Sequence, residues 1–313
     1  MLAFIASRFA LLFGMMLVGS FLIFSLIYLA PGDPLAALTG NKFVSEERVA
    51  QLTAMYHLDE PFLNRYVLWV QDVFLGDLGD SIVFQSSVNS LLMKALPITI
   101  ALVILSELFI IVFGFAAAII SARFRGVPDA VISIASSLAV SIPAFVVAVV
   151  LAIVFGRVLG WFPAIGPGDE GLDRLYHLLL PALSISIGGS ALIARIGRSA
   201  FVEELDSPHV TTEVARGIAS SRVFRRHVVR NGLPPIIAVV AIQIPGLIAG
   251  AVIAEQVFNL GGVGTLLLAG VNGRDFALVQ AIGLIVLATT VTFGIVADIV
   301  YGWLDPAAKV GRG

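Results

Sequence analysis

Six stretches of this chain are predominantly apolar over a length that leaves few structural options: Phe9–Ala30, Pro97–Ile120, Ala130–Phe155, Ile236–Val257, Phe276–Tyr301 and the shorter Leu178–Ala194. A hydrocarbon layer about 30 Å thick is crossed by about 20 helical residues. In lipid every backbone N–H and C=O must find its partner within the segment or a closed barrel, so apolar runs of this length read as helices. Only 13% of the 313 residues are charged and mean hydropathy is +1.00, against about 25% charged residues in soluble domains. The expected fold is all-α, a polytopic membrane bundle of about six transmembrane helices.

Charge gives the bundle a direction. Arg195 to Asn231 holds Arg195, Arg198, Arg216, Arg222, Arg225, Arg226 and Arg230, seven of the 19 Lys and Arg residues. Such a concentration between two apolar runs marks a cytoplasmic loop. Arg8 precedes the first run, and Lys309 and Arg312 follow the last, which places both termini on the same side. No A-x-A-like cleavage site ends the first run, so it reads as a retained span. The chain divides into a first helix (1–30), an external segment with short amphipathic helices (31–95) and a five-helix core (96–313) interrupted by the loop 195–235. Multi-pass residence in a membrane is the corresponding expectation.

Local signals mark the joints. Ala30-Pro31-Gly32-Asp33-Pro34 stops the first helix. Glu46–Met55 and Phe62–Phe74 read as amphipathic pieces, and Pro143, within Ser141–Phe145, should kink the third span. Phe258–Arg274 reads as an external turn. In the cytoplasmic loop Pro208 can open a helix on which Val210, Val214 and Ile218 share a face, and Gly217 interrupts it. A second amphipathic stretch, Ser221–Arg230, leads to Pro234-Pro235.

Several of these words are familiar in their order. His209 to Ile218 with Gly217, then Phe224-Arg225-Arg226-His227-Val228-Val229-Arg230-Asn231 and Pro234, resembles the cytoplasmic signature of binding-protein-dependent ABC importer permeases. His209 stands for the usual Tyr, Glu213 for Ala, and Thr211 and Val214 where Arg is common. Leu22–Pro34, Leu58–Pro61, Gly76–Ser81, Ser141–Phe145, Leu159–Pro163, Leu180–Leu183, Glu255–Phe258, Gly261–Gly264, Arg274-Asp275 and Leu304–Pro306 resemble further family motifs, in family order. The resemblance favours the branch that imports dipeptides, oligopeptides, nickel or glutathione, with peptide the first choice.

That resemblance implies a set of partners and roles. The partners are a second, homologous permease, two ATPase subunits or a fused pair, an extracytoplasmic binding protein and the lipid bilayer, with no nucleic acid. His209, Val210, Thr211, Thr212, Glu213, Ala215, Arg216, Gly217, Arg225, Arg226 and Arg230 would couple to the ATPase. Gly217 would sit where the ATPase leaves no room for a Cβ.

The chain contains no G-x-x-x-x-G-K-S/T, no catalytic motif, no cysteine and no clustered histidines. The expectation is therefore a transport subunit with no catalytic residues, metal or cofactor of its own, ATP and Mg²⁺ being held by the partners. Glu107 and Asp298 lie in apolar runs, where a carboxylate is costly; they line the translocation path or pair structurally within the bundle. Ser141, Pro143 and Glu255 join them as path or gate candidates. A different class of protein, a proton-coupled secondary transporter working through Glu107 and Asp298, is the alternative.

Overall fold

The computed structural model describes residues 2–29, 45–55 and 58–304. The Ala30–Pro34 stop, the Asp305-Pro306 motif, Lys309 and Arg312 lie outside the described residues, as does the side chain of Arg8. In order the elements are α1 (Leu2–Leu29), α2 (Glu46–Met55), α3 (Phe62–Phe74), a two-residue antiparallel ladder of β1 (Asp80–Ser81) and β2 (Ser86–Ser87), α4 (Val88–Arg123), α5 (Val127–Ser141), α6 (Ala144–Val158), α7 (Leu172–Leu205), α8 (Pro208–Ala215), α9 (Ser220–Phe258), α10 (Val263–Gly273) and α11 (Phe276–Leu304). Among the described residues α4, α7, α9 and α11 contain four spans long and apolar enough to cross a membrane, and α5 with α6, bent by 101°, makes a fifth if the pair counts as one.

The helices depart from the expected runs in instructive ways. α4 begins at Val88 and carries Pro97 inside it, and α9 carries Pro234, Pro235 and Pro245. A proline in a membrane helix is tolerated where neighbouring groups satisfy the carbonyl it leaves free. Pro143 does the opposite. It does not kink a continuous helix but stands at the N-terminal cap of α6, after Ile142 in an extended conformation. The residue before a proline is pushed out of the helical region, so α5 ends there. The expected turn after Phe258 contains an eleven-residue helix, α10, flanked by left-handed backbone: Asn259, which caps the end of α9, has φ 49°, and Arg274, which caps the end of α10, has φ 55°.

By its contacts the chain forms two compact units, Met1–Ile98 with Gly261–Thr292, and Thr99–Leu260 with Phe293–Gly313. In the first, Phe62, Tyr66 and Trp69 of α3 stack on Phe21 and Phe24 of α1, with ring centroids 5.2 Å apart for Phe21–Tyr66 and 5.4 Å for Phe24–Trp69. Its core joins Val88, Leu92 and Ala95 of α4 to Val263, Leu278, Ala281 and Ile282. Buried Asp275 fastens this unit: it accepts from Ser81 Oγ at 2.5 Å and Val83 N at 3.1 Å, and caps α11 by accepting from Leu278 N at 3.2 Å. The separate sequence motifs Gly76–Ser81 and Arg274-Asp275 thus meet in one clamp.

The second unit is built around α7, which packs against α9, α5 and α6. The run expected at Leu178–Ala194 is the middle of a 34-residue helix. Glycines bring α4 close to it: a Cβ on Gly114 would stand 2.7 Å from Ile193 Cβ, and one on Gly197 would stand 2.8 Å from Ala118 Cβ. Small residues allow such approach where lipid supplies no hydrophobic drive between helices.

Candidate functional site

The elements between α7 and α9 hold the residues singled out for coupling. Pro208 opens α8 at its first turn, where the missing N–H costs nothing. The helix lasts only two turns because the backbone reverses its hand just beyond Ala215. Gly217 N donates to Val214 O at 3.0 Å, Ile218 N donates to Glu213 O at 3.2 Å, and Gly217 has φ +81°. This pair of bonds around a left-handed residue is the Schellman stop, which favours glycine. A Cβ on Gly217 would meet nothing within 4 Å. Within this chain the glycine is therefore needed for its backbone conformation, not for space.

Two imidazole–carboxylate contacts tie α8 down. His209 Nε2 lies 2.7 Å from Glu204 Oε1 at the end of α7, and Asn231 Nδ2 of α9 donates to the same oxygen at 2.7 Å. His227 Nε2 lies 2.9 Å from Glu213 Oε2. Below them Val210, Val223, Phe224 and Val228 are buried, and Phe201 packs edge-on against Phe224 with centroids 6.2 Å apart. The Arg123 guanidinium lies over the Phe224 ring at 5.6 Å, a cation–π arrangement. Thr211, Thr212, Ala215, Arg216 and Gly217 remain exposed, as do Arg225, Arg226 and Arg230. A cleft of about 320 Å³ opens among Glu213, Ile218, Arg222, Val223, Arg226 and His227. The result is a short helix tied to α7 and α9, seated on buried Val210, with a polar outer face.

Three expectations change. Arg195 and Arg198 belong to α7 rather than to the loop. Ser221–Arg230 is not a separate helix but the start of α9, with a π-helical turn at Phe224–Val228; no break is needed before Pro234 because that proline is carried within the helix. Val214 is 46% exposed and Val210 buried, so the expected common face with Ile218 is not buried as one; a helix that stops after two turns seats only its first turn. Glu204 and Asn231, the residues that complete the tie, have no periodic signal in the sequence, because the chain reverses between them.

The path candidates are scattered. Glu255 is fully buried and accepts from Thr99 Oγ1 at 2.5 Å. Ser141 and Pro143 are exposed at the bend between α5 and α6. Asp298 is half-buried on α11. Gln243 faces Glu107, yet both carboxylate oxygens of Glu107 and Nε2 of Gln243 are enclosed and lack good hydrogen-bond geometry. Among the described residues no group of three acidic or histidine side chains is placed to hold a metal.

Comparison with known proteins sets this geometry in context. Residues 110–310 match the family described as "binding-protein-dependent transport system inner membrane component", and residues 1–103 match its N-terminal companion. The oligopeptide transport system permease protein OppB of Haemophilus influenzae is 34% identical over 288 residues, 91% of this chain and 92% of that protein. The dipeptide transport system permease protein DppB of Alkalihalophilus pseudofirmus is 30% identical over 99% of this chain and its full length. The glutathione transport system permease protein GsiC of Escherichia coli O6:H1 is 30% identical over 99% of both chains. A chain of the inward-facing MetNI methionine ABC transporter has the same fold over 69% of this chain and 96% of its own, with a TM-score of 0.56 at 17% identity. A bundle of membrane helices interrupted by a tethered two-turn helix, matched over nearly its whole length, belongs to the binding-protein-dependent transport system inner membrane components, a multi-pass transport subunit of ABC importers.

Proposed function

We propose that this chain forms half of the translocation path for short peptides in an ATP-driven importer, and that α8 is the part gripped by an ATPase subunit. The observation that carries this reading is the way α8 is held. Its inner side is tied to α7 through Glu204 and to the π-helical turn of α9 through Glu213–His227, while its outer face is exposed. A push on such a helix is delivered to two long membrane helices rather than dissipated in a loop. Hydrolysis of ATP belongs to partner subunits, because the chain has no phosphate-cradling sequence. Those subunits hold ATP and Mg²⁺. A second permease completes the path, and an extracytoplasmic binding protein delivers the substrate. Coupling then requires that ATP-bound subunits favour one arrangement of the spans over the other, since only differential affinity shifts such an equilibrium.

Reconstitution tests the proposal. Liposomes containing this chain, its partner permease, the ATPases and the binding protein should take up short peptides only with ATP. The chain alone should take up none under a proton gradient; uptake by the chain alone would refute the importer reading. Replacing Gly217 with Val should leave insertion intact and reduce coupled uptake about ten-fold, the factor that corresponds to the strain of a Cβ at a left-handed residue.

A further inference from the structure

A second polar feature lies in the same unit, away from the α8 tether. A cavity of about 140 Å³ opens between α5 and α7, and Ser133, Ser136, Ser137, Arg195 and Arg198 are among its lining residues. The two arginines are not equivalent. Arg198 meets Asp129 in a two-pronged ion pair, Nε to Oδ1 at 2.5 Å and Nη2 to Oδ2 at 2.6 Å, and Ser121 also donates to that carboxylate. Arg195 pairs with no carboxylate among the described residues; its hydrogen bond is a long one, Nη2 to Ser137 Oγ at 3.4 Å. With Asp129 cancelling Arg198, the cavity keeps one uncompensated guanidinium.

The walls carry more of the same chemistry. Ser133, Ser137 and Ser141 recur every four residues along α5, each exposed, although Ile134, Leu138 and Val140 beside them are strongly apolar. Ser137 and Ser141 donate back to the carbonyls of Ser133 and Ser137, both at 2.9 Å. Ser133 Oγ donates to Asp129 Oδ1 at 3.5 Å; each of these hydroxyls has one proton and donates to an anion by rotating away from its present acceptor. A hydroxyl row of this kind, running from the guanidinium to the bend at Ile142, is poorly suited to acyl chains and well suited to a wet surface.

We propose that Arg195, with the hydroxyls of Ser133 and Ser137, binds the terminal carboxylate of the peptide as it leaves the translocation path. This rests on the importer reading above. The guanidinium fork matches a carboxylate in two parallel hydrogen bonds. The cavity is smaller than the roughly 300 Å³ at which pockets begin to enclose a whole drug-sized ligand, so it takes the end of a peptide while the remainder lies along α5.

The chain has no cysteine, which allows a direct test in the assembled transporter. Ser137→Cys, and separately Ser133→Cys, is labelled with a small methanethiosulfonate in inside-out vesicles, with trialanine or its C-terminal amide present. Trialanine should slow labelling about ten-fold, the factor expected from one charge-assisted pair, and the amide should not. Arg195→Gln should abolish that protection and Arg195→Lys restore part of it. Equal protection by both peptides, protection by neither, or no labelling at either cysteine overturns the proposal. So does slowing that follows the phosphatidylglycerol content of the vesicles, which would assign the cavity to a lipid phosphate. ATP-driven peptide uptake by the same cysteine variants is measured in parallel. Uptake without selective protection rejects the carboxylate site alone, whereas absence of uptake by the unaltered transporter rejects the importer reading itself.

Discussion

Glu204 gathers more of the contacts that hold α8 than any residue named from the sequence. One of its oxygens receives both His209 and Asn231, joining α8, α7 and α9 at a single atom. Glu204→Ala removes that acceptor and leaves two polar groups to find water. We expect amide hydrogen exchange across Pro208–Ala215 to accelerate about ten-fold, the loss of roughly one charged hydrogen bond, with ATP hydrolysis retained and peptide uptake reduced. Unchanged exchange would show that the buried Val210 alone seats the helix. Gly217 presents the other residue-scale constraint. Its left-handed φ penalises any Cβ by about 1–2 kcal/mol, and Asn or Asp least. Gly217→Asn should therefore keep more uptake than Gly217→Val; the reverse order, measured in the same transport assay, would show that space at the docking surface governs the position.

At the scale of the element, α7 shows how a membrane helix uses glycine in two ways. Gly197 and Gly188 lie on one helix, but an added Cβ at Gly197 meets Ala118 Cβ at 2.8 Å and Ile236 Cδ1 at 3.0 Å, while at Gly188 it meets nothing within 4 Å. Gly197→Ala should destabilise the purified chain by about 1–3 kcal/mol through overpacking. Gly188→Ala should be neutral or gain up to about 1 kcal/mol from helix propensity. Thermal unfolding in detergent distinguishes the two, and equal shifts would contradict the close α4–α7 approach. The bend after α5 belongs to this scale too. It arises from the restriction that Pro143 places on Ile142, and it leaves Ser141, the last member of the hydroxyl row, at the break.

For the molecule as a whole, Ile134, Leu138, Phe145, Val149 and Ile153 on α5 and α6 are exposed in the isolated chain, an apolar surface that water does not favour and that lipid or another protein has to cover. A tag on this chain should retrieve a second membrane subunit and ATPases in mild detergent, read by mass spectrometry; a monodisperse particle of this chain alone would argue against a shared path. The apolar runs determined the helical class and the membrane setting, because a backbone in lipid has few ways to satisfy its own hydrogen bonds. Local chemistry likewise marked α2, α3, the start of α8 at Pro208 and its stop near Gly217, all governed by neighbours in sequence. Tertiary structure alone decided that His209 and Asn231 share Glu204, that Asp275 clamps Ser81, that Pro143 ends a helix while Pro97 does not, and that Arg198 is neutralised by Asp129 whereas Arg195 meets no carboxylate among the described residues. Each of those depends on which distant side chain arrives within about 3 Å, and such arrivals leave no periodic trace along the chain.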